Sequence, residues 1–416
     1  MTMNDVADIS PRPAGEAVHL PEPWAERLEA AKDWLTREGA SAANDAVLFE
    51  GLCEAIRAAD IPLARATSHI RTLHSERIGI THIWRLAENL QEIHFPHGAA
   101  QSALYYDSPV KVIHDTQEWL DVRLDEVPDE RFSIIPDLRA EGITHYLMGP
   151  LIYSDGGVNA LSYATDRPGG FEPEQAAFIK ALIPAATPFF ELRTVYRSVN
   201  EILRIYVGRE PGNRILAGQI ERGNVNKIHS AMLFCDLRNF TALSTTMSEE
   251  DLVALLNDCY DCIIPAVTEK GGEILKFLGD GVLAIFADNP SLAAVDLECA
   301  RRQSCEAAFE ATTRIQAAMA ALNRDKEIRW HDLSVGIALH YGQAAYGNIG
   351  AGERLDFTVI GKDVNLTSRI SRLSGVLSRP ILASAAFATA IGQPMLEVGS
   401  FELKGIEDWQ PVFAPA

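Results

Sequence analysis

Two aspartates could do chemistry together. Asp236 ends the apolar run Met232-Leu233-Phe234-Cys235, and Leu237-Arg238-Asn239-Phe240-Thr241 follows it. Asp280 lies between glycines in Lys276-Phe277-Leu278-Gly279-Asp280-Gly281, ahead of a second apolar run from Val282 to Phe286. Apolar runs of this length bounded by turn residues read as buried strands. Two such strands side by side bring both carboxylates to one end of a sheet. Paired carboxylates beside a loop of free backbone N–H groups suit divalent cations and phosphates, the setting of two-metal phosphoryl transfer. Either aspartate alone would read as a turn cap; the pair, with the motifs downstream, points to a site.

The elements that position this pair belong to a second domain, residues 223–416. A helix after Ser248-Glu249-Glu250-Asp251 carries Leu252, Leu255, Leu256 and Ile263, and Gly271-Gly272 ends it. Glu273–Leu278 and Val282–Phe286 form a hairpin. A long helix is expected from about Leu292 to Leu322, then a strand from Leu333 to Gly342. A short strand from Phe357 to Gly361 and a helix from Lys362 to Gly375 follow. A last helix follows Ser384, and a terminal strand holds Phe401-Glu402-Leu403-Lys404-Gly405. The order is βαββαβ with additions, a ferredoxin-like layout. Cys259 and Cys262, spaced C-x-x-C within the first helix, read as helix-face or core thiols.

With 416 residues, more than one domain is expected. Hydrophobic content is 47% and charged content 23%, as in a globular chain. The net charge of −20, from 37 basic and 57 acidic residues, argues against nucleic acid or an anionic membrane as main partner. No apolar stretch reaches the ~18 residues of a membrane span. The start, Met1-Thr2-Met3-Asn4-Asp5, lacks the pattern of a signal peptide. Six cysteines in a chain this long fit a reducing, cytoplasmic setting.

Residues 1–45 read as an N-terminal extension, loose around Pro11, Pro13, Pro21 and Pro23, then helical through Trp24, Leu28, Ala31 and Leu35. Residues 46–190 read as a mixed domain. A helix spans Val47–Ala59, a strand covers Thr81–Leu86, and a short segment, Val110–Ile113, follows a turn. Strands Thr144–Ile152 and Val158–Ala164 form a hairpin across Ser154-Asp155-Gly156-Gly157. A closing helix begins after Gly169-Gly170-Phe171-Glu172-Pro173-Glu174. That topology and the Gly-Phe-x-x-Glu-type start resemble a GAF-type sensor domain. The resemblance implies an antiparallel sheet with helices and an input by a small molecule or other signal. No chromophore cysteine or cyclic-nucleotide motif of that family is identified, so the ligand stays open. His94 and His97 read as satisfied histidines of a pocket wall or surface, since no third ligand lies at a recognised spacing. Residues 191–222 read as a helical linker, with a heptad seam through Leu192, Val199 and Tyr206.

Four motifs in order identify the second domain as resembling the catalytic domain of class III nucleotidyl cyclases. They are Phe-Cys-Asp-Leu-Arg-Asn-Phe-Thr at 234–241, Lys-Phe-Leu-Gly-Asp-Gly at 276–281, Asp-Phe-Thr-Val-Ile-Gly-Lys-Asp-Val-Asn-Leu-Thr-Ser-Arg at 356–369 and Leu-Lys-Gly at 403–405. The resemblance implies that Asp236, Asp280 and the Leu237 carbonyl hold two Mg²⁺ or Mn²⁺ ions per site. It implies that the loop up to Phe240 and Thr241 cradles phosphates, and that Lys404 meets the terminal ones. Asn365 and Arg369, four apart on one helix, would orient the ribose and stabilise charge on the α-phosphate. Lys276 matches the adenine N1 contact and Thr358 the N6 contact, so ATP is favoured over GTP. In that family each site is shared across a homodimer. The implied activity is an adenylate cyclase making cyclic AMP and pyrophosphate under control of the N-terminal domain. A guanylate cyclase and a silent nucleotide-binding regulator on the same fold are the competing readings.

Overall fold

The computed structural model describes residues 20–325, 330 and 332–416. The loose stretch around Pro11 and Pro13 lies outside the described residues. The chain divides into two compact units, Met1–Ile202 and Leu203–Ala416.

The first unit contains α1 (Trp24–Arg37), α2 (Asp45–Ala58), β1 (Arg65–Arg71), β2 (Arg77–Arg85), β3 (Gln91–Pro96), α3 (Ala103–Tyr106), α4 (Pro109–Thr116), β4 (Leu120–Arg123), α5 (Ile135–Ala140), β5 (His145–Ile152), β6 (Val158–Thr165) and α6 (Pro173–Tyr206). The last few residues of α6 belong to the second unit. Its six strands form one antiparallel sheet in the order β3-β2-β1-β6-β5-β4. Leu48, Phe49 and Leu52 of α2 and Phe178, Leu182 and Phe190 of α6 form a fully buried core on one face. The apolar side chains of α2 recur at helical spacing, and Asn44 starts the helix by accepting the Val47 N–H at 2.9 Å. A smaller core, with Ile113, Phe132, Tyr146 and Met148, covers the other side. The segment expected at Val110–Ile113 is helical: Ser108 caps it and Pro109 takes the first position, which needs no N–H donor.

The second unit contains α7 (Arg209–Leu216), β7 (Val225–Leu237), α8 (Phe240–Thr246), α9 (Glu249–Thr268), β8 (Glu273–Leu278), β9 (Gly281–Ala287), α10 (Pro290–Ala293), α11 (Leu297–Leu322), β10 (Val335–Ala351), β11 (Arg354–Ile360), α12 (Lys362–Val376), β12 (Ile381–Ser384), α13 (Ala385–Ala390), β13 (Met395–Phe401) and β14 (Gln410–Pro415). Its eight-stranded sheet runs β13-β14-β12-β10-β7-β9-β8, with β11 paired to β10. The stretch β10-β7-β9-β8 is antiparallel throughout and has the order of a ferredoxin-like βαββαβ core.

Three expectations change. The helix expected over 292–322 is two, because Asp296 caps a fresh start at Leu297 by accepting the Cys299 N–H at 2.9 Å. The strand expected at 333–342 runs on to Ala351, where it pairs with β7 and then with β11. The terminal strand expected at 401–405 ends at Phe401. Leu403 is buried, while Lys404 and Gly405 make a turn whose Gly405 φ of 76° no strand can hold.

The connector after α7 is tied to β10. Asn348 Nδ2 donates to the Gln219 carbonyl at 2.8 Å, the Gly223 N–H donates to Asn348 at 3.0 Å, and Asn348 donates to Asn224 at 3.1 Å. Gly347 must be bare here, because a Cβ would lie 2.1 Å from the Asn224 carbonyl oxygen.

Candidate active site

Asp236 lies one residue from the end of β7, and its cross-strand partner on β9 is Gly281. Asp280, in the tight β8–β9 turn, is therefore one residue from that partner. Its own N–H and that of Leu237 lie close enough to its carboxylate to hold its pKa down against burial. Burial raises the pKa of both carboxyls above the ordinary range. For Asp236, Arg238 opposes burial, Asp280 adds to it, and the Ser371 hydroxyl opposes it. Asp236 Oδ1 is buried and has no hydrogen-bond partner among the described residues; Arg238 Nη1 is 4.0 Å away. Arg238 lies over Gly336, the β10 partner of Asp236, where any Cβ would strike the guanidinium.

These features fit a hard divalent cation. The donors are all oxygens, charge is held there against its preference, and one buried oxygen has no partner. Leu237 supplies the next carbonyl along the chain. Among the described residues no group of three or more His, Cys, Asp and Glu side chains gathers. A cation between Asp236 and Asp280 would complete its shell with backbone, phosphate or water oxygens. Phe240 and Thr241, expected in a loop, open α8 instead, after Asn239 turns the chain at φ 58°. Their N–H groups are the first of that helix and have no partner within it.

Lys276 of β8 forms an ion pair with Asp356 of β11. Asp356 and Thr358 are two apart on that strand, so they share a face, and Thr358 is buried. Lys276 and Thr358 therefore belong to one patch. On α12 the buried residues are Thr367, Ile370, Ser371 and Ser374; the Ser371 hydroxyl donates to the Ser368 carbonyl at 2.9 Å and lies close enough to Asp236 to hold its pKa down. Arg369 sits about 200° around the helix from Ser371, and Asn365 is one turn before Arg369. Both are directed away from the Asp236 side of their own chain. The Arg369 guanidinium lies beside Gly405: a Cβ there would be 3.7 Å from Nη2, next to the exposed Lys404. The chain thus brings together Asp236 with Asp280, Lys276 with Thr358, and Arg369 with the Lys404 turn. It does not turn Asn365 and Arg369 toward the aspartate pair.

Sequence reasoning missed Arg238, Asp356 and Ser371. Period-two alternation on β11 points to Asp356 once Thr358 is of interest; Ser371 has no local signal. His94 pairs with Glu92 at 3.1 Å, and His97 Nε2 meets the His74 carbonyl at 2.8 Å, so both have local partners.

Residues 224–397 match the adenylate and guanylate cyclase catalytic domain. Over 188 residues the chain is 31% identical to an adenylate cyclase of Anabaena cylindrica, covering 45% of this chain and 35% of that protein. Adenylate cyclase 1 of Rhizobium meliloti is 30% identical over 154 residues, 37% of this chain and 22% of that protein. The chain thus spans about a third or less of the curated relatives it matches. Among solved structures, a bacterial light-regulated adenylyl cyclase gives a TM-score of 0.46 at 21% identity, covering 55% of this chain and 63% of that one. The guanylyl cyclase Cya2 gives 0.37 at 25% identity, covering 45% and 92%. No helix among the described residues is long and apolar enough to cross a membrane.

One buried carboxyl of the second unit lies outside this site. Glu273 Oε2 accepts from Tyr346 Oη at 2.8 Å, while Oε1 is buried and unpartnered. Burial pushes its pKa up to about 7. A folded pKa above the unfolded value favours folding at low pH, and that advantage is lost as pH rises from about 4.5 to about 7. Glu273→Gln is expected to flatten stability across that window and to stabilise the protein at pH 8 by on the order of 2 kcal/mol. Urea midpoints at pH 5 and pH 8 test this; parallel shifts in parent and variant would refute it.

Proposed function

We propose that the chain is an adenylate cyclase that converts ATP to 3′,5′-cyclic AMP and pyrophosphate. The observation that carries this reading is the pair Asp236 and Asp280 at the ends of adjoining strands, one with a buried oxygen lacking any partner. Bound there with the Leu237 carbonyl, two Mg²⁺ or Mn²⁺ ions would supply acidification of the ribose 3′-hydroxyl and neutralisation of the leaving pyrophosphate. The amides at Phe240 and Thr241, with Lys404, would hold the phosphates. Asn365 would orient the ribose, and Arg369 would stabilise charge gathering on the α-phosphate, a placed donor worth ~3 kcal/mol. Adenylate cyclases among the relatives support ATP as substrate.

Lys276 donates, which suits adenine N1 and mismatches the N1–H of guanine; Thr358 would face the exocyclic group. A polar site rejects a mismatched base because a buried group is left unpaired. Lys276→Glu is expected to lower kcat/KM for ATP by about a hundredfold or more and to erase or invert the preference over GTP. Rates with ATP and GTP in Mn²⁺, on the parent chain and on Asp236→Ala, test the whole reading. Turnover of GTP alone would favour a guanylate cyclase, and turnover of neither a silent regulator.

The active unit in this proposal is a homodimer. Asp236 and Asp280 of one protomer would meet Lys276, Thr358, Asn365, Arg369 and Lys404 of its partner, giving two equivalent sites. The direction of Arg369 away from its own Asp236 supports this. So does the exposed stripe of Leu192, Val195, Tyr196, Val199 and Tyr206 on α6, 42% to 81% accessible at heptad-like spacing. The domain plan is an extension (1–45), a GAF-like sensor (46–190), a helical linker (191–222) and the catalytic domain (223–416). A signal at the sensor would change how two catalytic domains face each other, where a ~1 Å misplacement costs about a hundredfold in rate. Removing residues 1–190 with no change in rate or regulation would refute that control.

A further inference from the structure

The first unit holds a cavity of about 630 Å³ with no role in nucleotide chemistry. Its size falls in the ~300–1,000 Å³ range of small-molecule sites. The walls come from β1 and β2, from Phe95 of β3, and from the short helices between His97 and Thr116. They are largely apolar, with Phe95, Leu104, Val110 and Ile134 among the lining residues. Phe95 and Leu104 are still 39% and 72% exposed, so the described residues do not cover this apolar surface.

The polar groups narrow the ligand. His69 has both ring nitrogens engaged, at 2.9 Å to Thr67 Oγ1 and 2.8 Å to Thr81 Oγ1, and burial pushes its pKa down to about 3. It is a neutral part of the wall. Tyr105 Oη meets His114 Nδ1 at 2.8 Å. With Tyr105 donating, the proton of His114 sits on Nε2, which has no partner among the described residues and is a donor for a ligand oxygen. Arg71 lines the cavity and lies close enough to His114 to depress its pKa, second to burial. Its guanidinium has no acidic partner among the described residues. Among the described residues no Asp or Glu lines the cavity, although the chain carries a net charge of −20. An apolar chamber with one unpaired guanidinium and one neutral donor suits a hydrocarbon body ending in one carboxylate.

We propose that this cavity binds a small amphipathic monocarboxylate, its apolar body among Phe95, Val110 and Ile134 and its carboxylate at Arg71 and His114. Calorimetric titration of the full chain tests it with three probes of equal chain length: decanoate, decanol and decyltrimethylammonium. Decanoate is expected to bind tightest and the cation at least about tenfold more weakly. Arg71→Gln should weaken decanoate by about tenfold and leave decanol unchanged, and Ala99→Trp, which puts bulk into the chamber, should abolish both. No binding of any probe at millimolar concentration would overturn the proposal, as would decanoate binding indifferent to both substitutions. Loss of binding in Ala99→Trp with none in Arg71→Gln would overturn the carboxylate assignment. The readout needs no nucleotide turnover, so its failure is distinct from failure of the cyclase reading.

Discussion

Asp236→Asn is expected to slow cyclisation of ATP by about a thousandfold or more, while the metal-free protein keeps or gains stability. The first half follows from position. A lost preorganised charge at a reacting phosphate costs up to ~4 kcal/mol, about a thousandfold. The second half follows from the carboxyl's environment. Burial and Asp280 hold the Asp236 pKa up, with Arg238 and Ser371 opposing. A group of this kind favours folding only at low pH, and its contribution is lost as pH rises from the ordinary Asp value through the raised folded one. At pH 8, above that window, the cost of holding the charged form is fully felt, and an amide of the same shape removes it. Rates in Mn²⁺ and melting in EDTA at pH 8 measure the two halves separately. Activity within tenfold of the parent would end the metal-site reading. A sharply lowered melting temperature would instead mark Asp236 as structural.

Mixing two dead chains should restore activity. Asp236→Asn and Arg369→Ala are each expected to fall at least about a hundredfold alone. If each site draws its aspartates from one protomer and its Arg369 from the other, a mixed dimer carries one doubly damaged site and one intact site. Random exchange makes half the dimers mixed, so the mixture should recover about a quarter of parental activity. Continued silence, with mixed dimers verified by differently tagged chains, would show that both groups act within one protomer. The position of Arg369 on α12, about 200° around the helix from Ser371, is what favours recovery over that outcome.

Much of the second unit is legible in the sequence because its signals are local. Asp236 and Asp280 each end or precede an apolar run bounded by turn residues, and such runs become neighbouring strands. Ser248, Ser384 and Gly271-Gly272 mark helix ends by chemistry that needs no tertiary context. The second half of β10 is not legible. Gly342, Gly347 and Gly350 break the pattern of a strand, and only pairing with β7 and β11 holds them extended. The Lys276–Asp356 pair is hidden for the same reason, since it depends on β11 lying beside β8. In the first unit the hairpin at 145–165 is readable from Asp155-Gly156-Gly157, whereas the cavity depends on how short helices settle over a sheet.

The hydrogen bonds that hold Asn348 to residues 219–224 have a mechanical consequence. Gly347, its neighbour, stands opposite Thr358. Under the proposed function, force travelling down the incoming chain would reach the strand of Thr358 before it reaches the carboxylates. A stimulus delivered this way would retune nucleotide affinity first, so KM for ATP should move in Asn348→Ala while the Mn²⁺ dependence of the rate stays put.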